Sequence, residues 1–403
     1  MKKQDALQAS ELINTILQKK EIPAIAPKGF LSSELSYVSQ PHTANNVFAG
    51  ISYSGEDDYK VELRAYTDRA FKLCEVFVKE SIRNQFLGAR PQEFNLWRVV
   101  KNVLGFPSIR NNFTSPDFEP PHVLNDQRRP LLLGASIKST ADVFGSIGGF
   151  FIAQESYDAE KAFLLSCSHV LWGAGKNRAK PNDAVTQPPD GDLISDEVGH
   201  LYDGIKLEKS RLHIGDAALA MLKDDVQAAV NQVPSTDDDN DGHRTVARFL
   251  LDQGMPTEFQ GRPIRLPNDD LMEQLLPSEP GSLEHRGPHV VHKIGARTGY
   301  TSGLLSGVNI RTKLVNDQHS YEFMNVWEVV DGDQTPFAYY GDSGSLAFVE
   351  IGRDLVALGP VFGAISASRG NDSRQKPRTV YCVSPILPLV KRFTEKLSDL
   401  EWA

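Results

Sequence analysis

The chain has 403 residues, 40% of them apolar and 24% charged, and a formal net charge of −9; this is ordinary globular composition, with length for two or three domains and a substantial core. An acidic balance argues against a general nucleic-acid binder, which needs a basic face, and with no apolar run of bilayer length no membrane partner is expected. The three cysteines, Cys74, Cys167 and Cys382, are odd in number and far apart, with no C-x-x-C pair, which favours a reducing, cytoplasmic setting over a disulfide-stapled secreted one.

The first residues carry charge but no apolar core of signal-peptide length. From Asp5 to Lys20, Ala6, Ala9, Leu12, Ile13, Ile16 and Leu17 recur at helical spacing, which predicts a short amphipathic helix docked on its own protein. Glu21 to Thr43, rich in Pro and Ser, reads as linker, so residues 1–45 form an N-terminal helix and linker. Residues 46 to 66 read as a β-hairpin about Ser54-Gly55-Glu56-Asp57-Asp58, its second strand alternating apolar and charged. A helix from Asp68 to Leu87, a strand from Phe94 to Val103 and a Pro-rich connector from Arg110 to Pro130 complete a small α+β accessory domain over residues 46–130.

From Leu131 the sequence changes to short apolar strands with Gly-rich turns, the pattern of barrels or sandwiches. In a first barrel over residues 131–225, Val143 to Ala153 and Ala162 to Leu171 are expected as neighbouring strands, the second ending on His169, and Asp216 stands at the head of another apolar run. Residues 226–287 form an acidic insertion, longer than a simple connection between barrels. Its Asp237-Asp238-Asp239-Asn240-Asp241-Gly242 fits the first half of a calcium loop, but the twelfth position is Arg248 where an EF-hand needs Glu, so a solvated acidic loop is expected. Helices at Thr245 to Gln253 and Asp269 to Leu276 would make the insertion a lid or specificity element, and His285, His289 and His292 are expected at the surface. The second barrel, residues 288–403, has a turn at Thr298 to Gly303 and strands at Leu304 to Val315, Tyr321 to Val330, Leu355 to Ile365 and Thr379 to Val383. A terminal helix from Ile386 to Leu400 packs back through Leu387, Val390, Phe393 and Leu397. The fold class is mainly β with an α+β extension.

The chemistry centres on Gly341-Asp342-Ser343-Gly344-Ser345. A serine between two glycines can present its Oγ while neighbouring N–H groups turn toward one point; an ordinary polar turn is the plain alternative. Serine needs a base, usually a histidine held by a carboxylate. All ten histidines precede Ser343, so the Ser, acid, His order of an α/β-hydrolase is impossible. A lone histidine in an apolar strand is more often a packed core residue, but a buried Asp216 needs a partner, and an imidazole N–H suits it.

In the order His169, Asp216, Ser343 the chain resembles the bacterial trypsin-like serine peptidases of the chymotrypsin fold, with an N-terminal extension domain. Gly145-Ser146-Ile147-Gly148-Gly149-Phe150-Phe151, Asn182-Asp183-Ala184-Val185-Thr186-Gln187-Pro188, Lys293 to Gly303 and Gly341 to Ser345 follow that family's order across residues 131–395. Ser166-Cys167-Ser168 departs from the residues its members often carry there. The resemblance implies a chymotrypsin-like double β-barrel and a serine endopeptidase, with His169 as general base, Asp216 orienting it, Ser343 as nucleophile and the N–H groups of Gly341 and Ser343 as oxyanion hole. It also places Phe337, six residues before the nucleophile, at the base of a substrate pocket suited to uncharged side chains. No metal or organic cofactor is implied. Asp342 stands where secreted relatives bind a new N-terminal amine; with no cleavable segment evident, the loop is expected to form without processing or through a partner. The expected ligand is a protein or peptide substrate, and the extra domain and acidic insertion raise a regulatory protein partner. A catalytically silent double-barrel binding module, or an esterase on the same scaffold, are the alternatives.

Overall fold

The computed structural model describes residues 47–53, 59–65 and 102–104, and residues 124–403 apart from 157–158, 174–177, 190–195, 210, 229, 269–288, 317–318, 332–335, 368–377 and 398. The helices expected at 5–20, 68–87 and 269–276, the linker at 21–43 and His285 lie outside the described residues. Among the described residues no helix is long and apolar enough to cross a membrane.

The hairpin read from period-two alternation forms: β1 (Val47–Tyr53) and β2 (Tyr59–Ala65) pair antiparallel from Val47↔Ala65 to Tyr53↔Tyr59. A short β3 follows at Asn102–Leu104. Six strands then build the first barrel: β4 (Ser136–Ser139), a bent β5 (Phe144–Ser146) and β6 (Gly149–Ser156), β7 (Ala159–Ser166), β8 (Ala184–Thr186), β9 (Glu197–Gly204) and, after the short β10 (Leu212–His213), β11 (Ala218–Leu222). The neighbours run β6-β7-β11-β9-β8-β4-β5. Because β5 continues into β6 through Ile147 and Gly148, whose N–H groups bond to Ala135 and Leu165, the ladder returns to its start and closes. Ile137, Phe163, Leu165, Leu201 and Leu219 are wholly buried in this half.

The expected strand over Ala162 to Leu171 stops at Ser166, and a helical turn, α1 (Ser168–Leu171), carries His169. Val170 and Leu171 continue the apolar run past Ser166, so periodicity could not mark the change.

The acidic run from Asp237 leaves Asp237, Asp239 and Asp241 exposed, as a solvated loop would, but it also caps a helix. Asp238 accepts from Asn240 N (2.8 Å) and pairs with His243 Nδ1 (2.9 Å), while Asn240 accepts from His243 N (3.2 Å), starting α2 (Asp241–Asp252). The helix buries Val246, Ala247 and Leu250 and is pinned at its start, where Asn240 Nδ2 donates to Arg129 O and His243 Nε2 meets Pro130 O. Beyond it, β12 (Ile264–Arg265) lies parallel to Leu355 and Val356.

The second barrel comprises β13 (Val290–Gly295), β14 (Gly299–Asn316), β15 (His319–Asp331), β16 (Leu346–Ile351), β17 (Asp354–Ala367) and β18 (Arg378–Val383). Its circuit β14-β15-β18-β17-β16-β13-β14 also closes on six strands. The turn expected over Thr298 to Gly303 falls earlier: Gly295 and Gly299 already pair, and Gly299 takes φ +66, so Gly299 to Gly303 belong to β14. β1 adds to β14 at Ile51↔Val308, and β3 adds to β17 at Ala364↔Leu104, so the strands before residue 124 extend this barrel's sheet. The terminal helix, α3 (Ile386–Thr394), ends sooner than expected, and β19 (Glu401–Trp402) then joins β6, with Trp402 edge-on to Phe151.

His292, expected at the surface, is only 8% exposed. The segment after α2 covers the outer side of β13: Phe259 meets the imidazole edge-on at 5.0 Å, Phe348 flanks it, and Nδ1 lies 2.8 Å from the Tyr300 hydroxyl. Burial holds its pKa down at about 4, from the usual 6.5, with Glu350 pulling weakly the other way. Between these values the unfolded chain takes up a proton that the folded chain refuses, so stability falls as pH drops from 6.5 toward 4. Going from pH 7.5 to 5, this one group should remove about 2 kcal/mol. Urea unfolding at both values should show His292→Phe losing less stability over that interval than wild type, whatever its cost at pH 7.5.

Candidate active site

α1 is fastened at its start. Ser166 Oγ donates to Ser146 O (2.8 Å), and Ser168 Oγ donates to Ile205 O (2.6 Å). His169, 4% exposed, therefore points from a turn with little freedom. Asp216, wholly buried just before β11, gives both carboxylate oxygens to this one residue. Oδ2 lies 2.7 Å from His169 Nδ1, and Oδ1 accepts from His169 N at 3.1 Å. A carboxylate can only accept, so a neutral imidazole here carries its proton on Nδ1 and leaves Nε2 as the basic nitrogen. Asp216 is itself held from behind, its N–H donating to Ser384 Oγ at 2.9 Å.

Ser343 sits in the tight turn leading into β16. Gly341 and Gly344 take φ +100 and +96, the left-handed region that glycine tolerates best. Within the turn Asp342 N donates to Tyr339 O, Gly344 N to Val361 O and Ser345 N to Asp342 O. Among the described residues the N–H groups of Gly341 and Ser343 have no acceptor within the chain.

Close backbone approach brings this turn to α1. A Cβ on Gly145 would come within 2.5 Å of Val170, the neighbour of His169, and 2.7 Å of Ser343 O. A Cβ on Gly344 would strike Ser166 Oγ and Ser146 O and lie 3.2 Å from Cys167 N. Ser146 draws the halves together: its N donates to Ser343 O (2.8 Å), its Oγ donates to Gly341 O (2.9 Å), and that Oγ accepts from Ala296 N (2.9 Å). The structure thus sets the His169–Asp216 pair and the Ser343 turn on one seam between the two barrels.

Asp342 is wholly buried, and its charge is met from inside the chain. Oδ1 accepts from Arg297 N (2.9 Å) and Thr298 N (3.1 Å), and Oδ2 from Thr298 Oγ1 (2.8 Å) and Tyr339 N (2.8 Å). Lys293 Nζ, also wholly buried, stands 3.4 Å from Oδ2 and donates to Thr298 Oγ1. Burial pulls the Lys293 ammonium below its usual 10.5, and the charge of Asp342 pulls it back. Lys293 is thus the basic side chain that this chain itself sets against Asp342.

Phe337 lies in the second-barrel core with no exposed surface, its ring 5.6 Å from that of Tyr381. Its N–H donates to Asp331 and its carbonyl accepts from Thr301 Oγ1. Cys167, His169 and Asp216 hold ligand-type atoms within 4.8 Å of one another. Burial first, and the charge of Asp216 second, push the Cys167 thiol well above its ordinary pKa, and its Sγ donates to Val361 O. A thiol kept protonated suits packing better than metal ligation. Sequence reasoning missed the roles of Ser146, Lys293, Thr298 and Ser384, which act through folded contacts; a lysine among the largely apolar residues of β13 was the one available signal.

No family model matches the chain. Similar solved structures include Thermobifida fusca protease A, at 14% identity over 68% of this chain and 97% of that one, with TM-score 0.37. A Cellulomonas bogoriensis chymotrypsin (12% identity, 68% and 97%, TM-score 0.35) and a Nocardiopsis protease (13%, 67% and 97%, TM-score 0.36) are others. The chain is thus similar in fold to bacterial chymotrypsin-like serine proteases.

Lys293→Met would leave a buried carboxylate with hydrogen bonds but no countercharge, and should cost about 3 kcal/mol in urea unfolding. Adding Asp342→Asn removes the stranded charge, so the double variant should recover at least half of that loss.

Proposed function

We propose that the protein is a serine endopeptidase of bacterial type, cleaving protein or peptide substrates in the cytoplasm. The observation that carries this reading is the buried Asp216 carboxylate spending both oxygens on His169, beside a serine turn with two N–H groups that have no acceptor among the described residues. His169 Nε2 takes the proton of Ser343 Oγ as that oxygen forms its bond to the scissile carbonyl carbon. The carbonyl oxygen becomes an oxyanion and is received by the N–H groups of Gly341 and Ser343. Collapse breaks the C–N bond, the imidazolium gives its proton to the leaving amine, and an acyl-enzyme forms. Water, deprotonated by the same histidine, then releases the acid and restores the serine. Asp216 stabilises the imidazolium in both steps without being protonated.

The chemistry needs no metal or organic cofactor. Phe337, wholly buried, would back the pocket for the residue before the scissile bond from beneath, and its apolar ring there favours uncharged side chains. Cys167 and Cys382 are buried free thiols, in keeping with a reducing compartment. Residues 1–45 and 46–130 would serve as an accessory region through which a regulatory protein partner acts.

A fluorophosphonate probe tests the reading. Wild type should label on Ser343, and Ser343→Ala and His169→Ala should lose at least about a thousandfold in labelling and in peptide cleavage. Folded wild type that does not label would mean a binding module. Labelling with ester but no peptide hydrolysis would make it an esterase.

A further inference from the structure

Among the described residues the insertion contributes no strand to either barrel's closed circuit, yet it touches the network behind the nucleophile. We propose that Gln253, at the end of α2, is a positioning residue that holds the Ser343 turn in the shape that receives an oxyanion; this rests on the serine-hydrolase reading above.

The contact runs through the β13–β14 turn. Gln253 Oε1 accepts from Tyr300 N at 2.8 Å, and Gln253 Nε2 donates to Thr298 O at 3.1 Å. One side-chain amide thus serves the backbone on both sides of Gly299, as a neighbouring strand would. The turn is shaped to it: Gly299 has φ +66, and a Cβ there would collide with the Gln253 amide group. From Thr298 the next bonds go to Asp342, through Thr298 N to Oδ1 and Thr298 Oγ1 to Oδ2. Asp342 lies between Gly341 and Ser343, whose N–H groups are the proposed oxyanion donors. Two bonded steps therefore separate the insertion from the nucleophile turn.

A surface glutamine could be an idle contact, and two features argue otherwise. Gln253 is exposed, but the element that carries it is fixed at both ends: His243 is buried at the start of α2, and Phe259 is buried against His292 and Phe348 beyond its end. The amide is therefore delivered to the turn with little freedom left to lose. The groups it braces are also of a kind that must not drift. Donors aimed at a developing charge work through fixed geometry, so loosening them lowers transition-state binding more than substrate binding.

The test compares Gln253→Met, which keeps side-chain length and loses both hydrogen bonds, with wild type and with Asp252→Asn, an exposed neighbour. Expected for Gln253→Met is a fall of about five- to tenfold in kcat and fluorophosphonate labelling rate per folded molecule, with KM within about twofold. Inhibition by a peptide boronate, which forms a tetrahedral adduct on Ser343, should weaken by a similar factor, while Asp252→Asn behaves as wild type. Wild type that labels, together with Gln253→Met showing unchanged kcat and boronate inhibition, overturns the proposal alone, even if its Tm falls. Folded wild type that fails to label overturns the hydrolase reading and this proposal with it.

Discussion

A carboxylate with no access to water must find its partners in the protein or lose its charge, and Asp342 obtains them from three directions. The β13–β14 turn supplies Arg297 N, Thr298 N and Thr298 Oγ1, the approach to the nucleophile supplies Tyr339 N, and the interior of β13 supplies Lys293. Satisfying one anion therefore fixes the relative position of two chain segments 45 residues apart. Gly341 and Ser343 flank Asp342 in sequence, so wherever the carboxylate is anchored the two flanking N–H groups are anchored too.

The second anion, Asp216, works in the other direction. Asp342 is held so that its neighbours in the chain are ordered; Asp216 is held by Ser384 so that a residue remote in sequence, His169, is ordered. Neither arrangement would matter without close approach of the backbones. Gly145 and Gly344 lie where a Cβ would drive α1 and the nucleophile turn apart, so the glycines set the separation and the carboxylates set the orientation.

Much of this was legible in the sequence, because some constraints are local and chemical. The order His169, Asp216, Ser343 needs only the types and positions of residues, and the two glycines around Asp342 and Ser343 announce a turn with unusual backbone angles. The alternation in β2 and the apolar runs of β7 and β11 announce strands. What stayed hidden depends on who covers whom. His292 looks like a surface histidine until Phe259 is laid across β13, and Lys293 looks solvated until the barrel closes around it. The acidic run before α2 resembles half a calcium loop because Asp and Asn serve equally as metal ligands and as helix caps, and residue type alone does not distinguish the two. At α1 the difficulty was reversed: strand and helical turn are both buried, so the pattern of burial was uniform where the backbone changed.

The same distinction between local and remote constraint explains how an insertion can bear on a site to which it lends no reacting group. Each barrel closes through its own six-strand circuit, and the hydrogen-bond ladders leave the connecting turns only partly determined. A turn such as Arg297 to Gly299 must present two N–H groups to Asp342 on one side, and its outward carbonyl and the following N–H then need partners on the other. Water could supply them, but water moves. A side-chain amide on a pinned helix satisfies the same two groups with fixed geometry, and Gln253 does so at 2.8 and 3.1 Å. An element outside the barrels thus enters the active-site seam through the backbone groups that the barrels themselves leave unmatched.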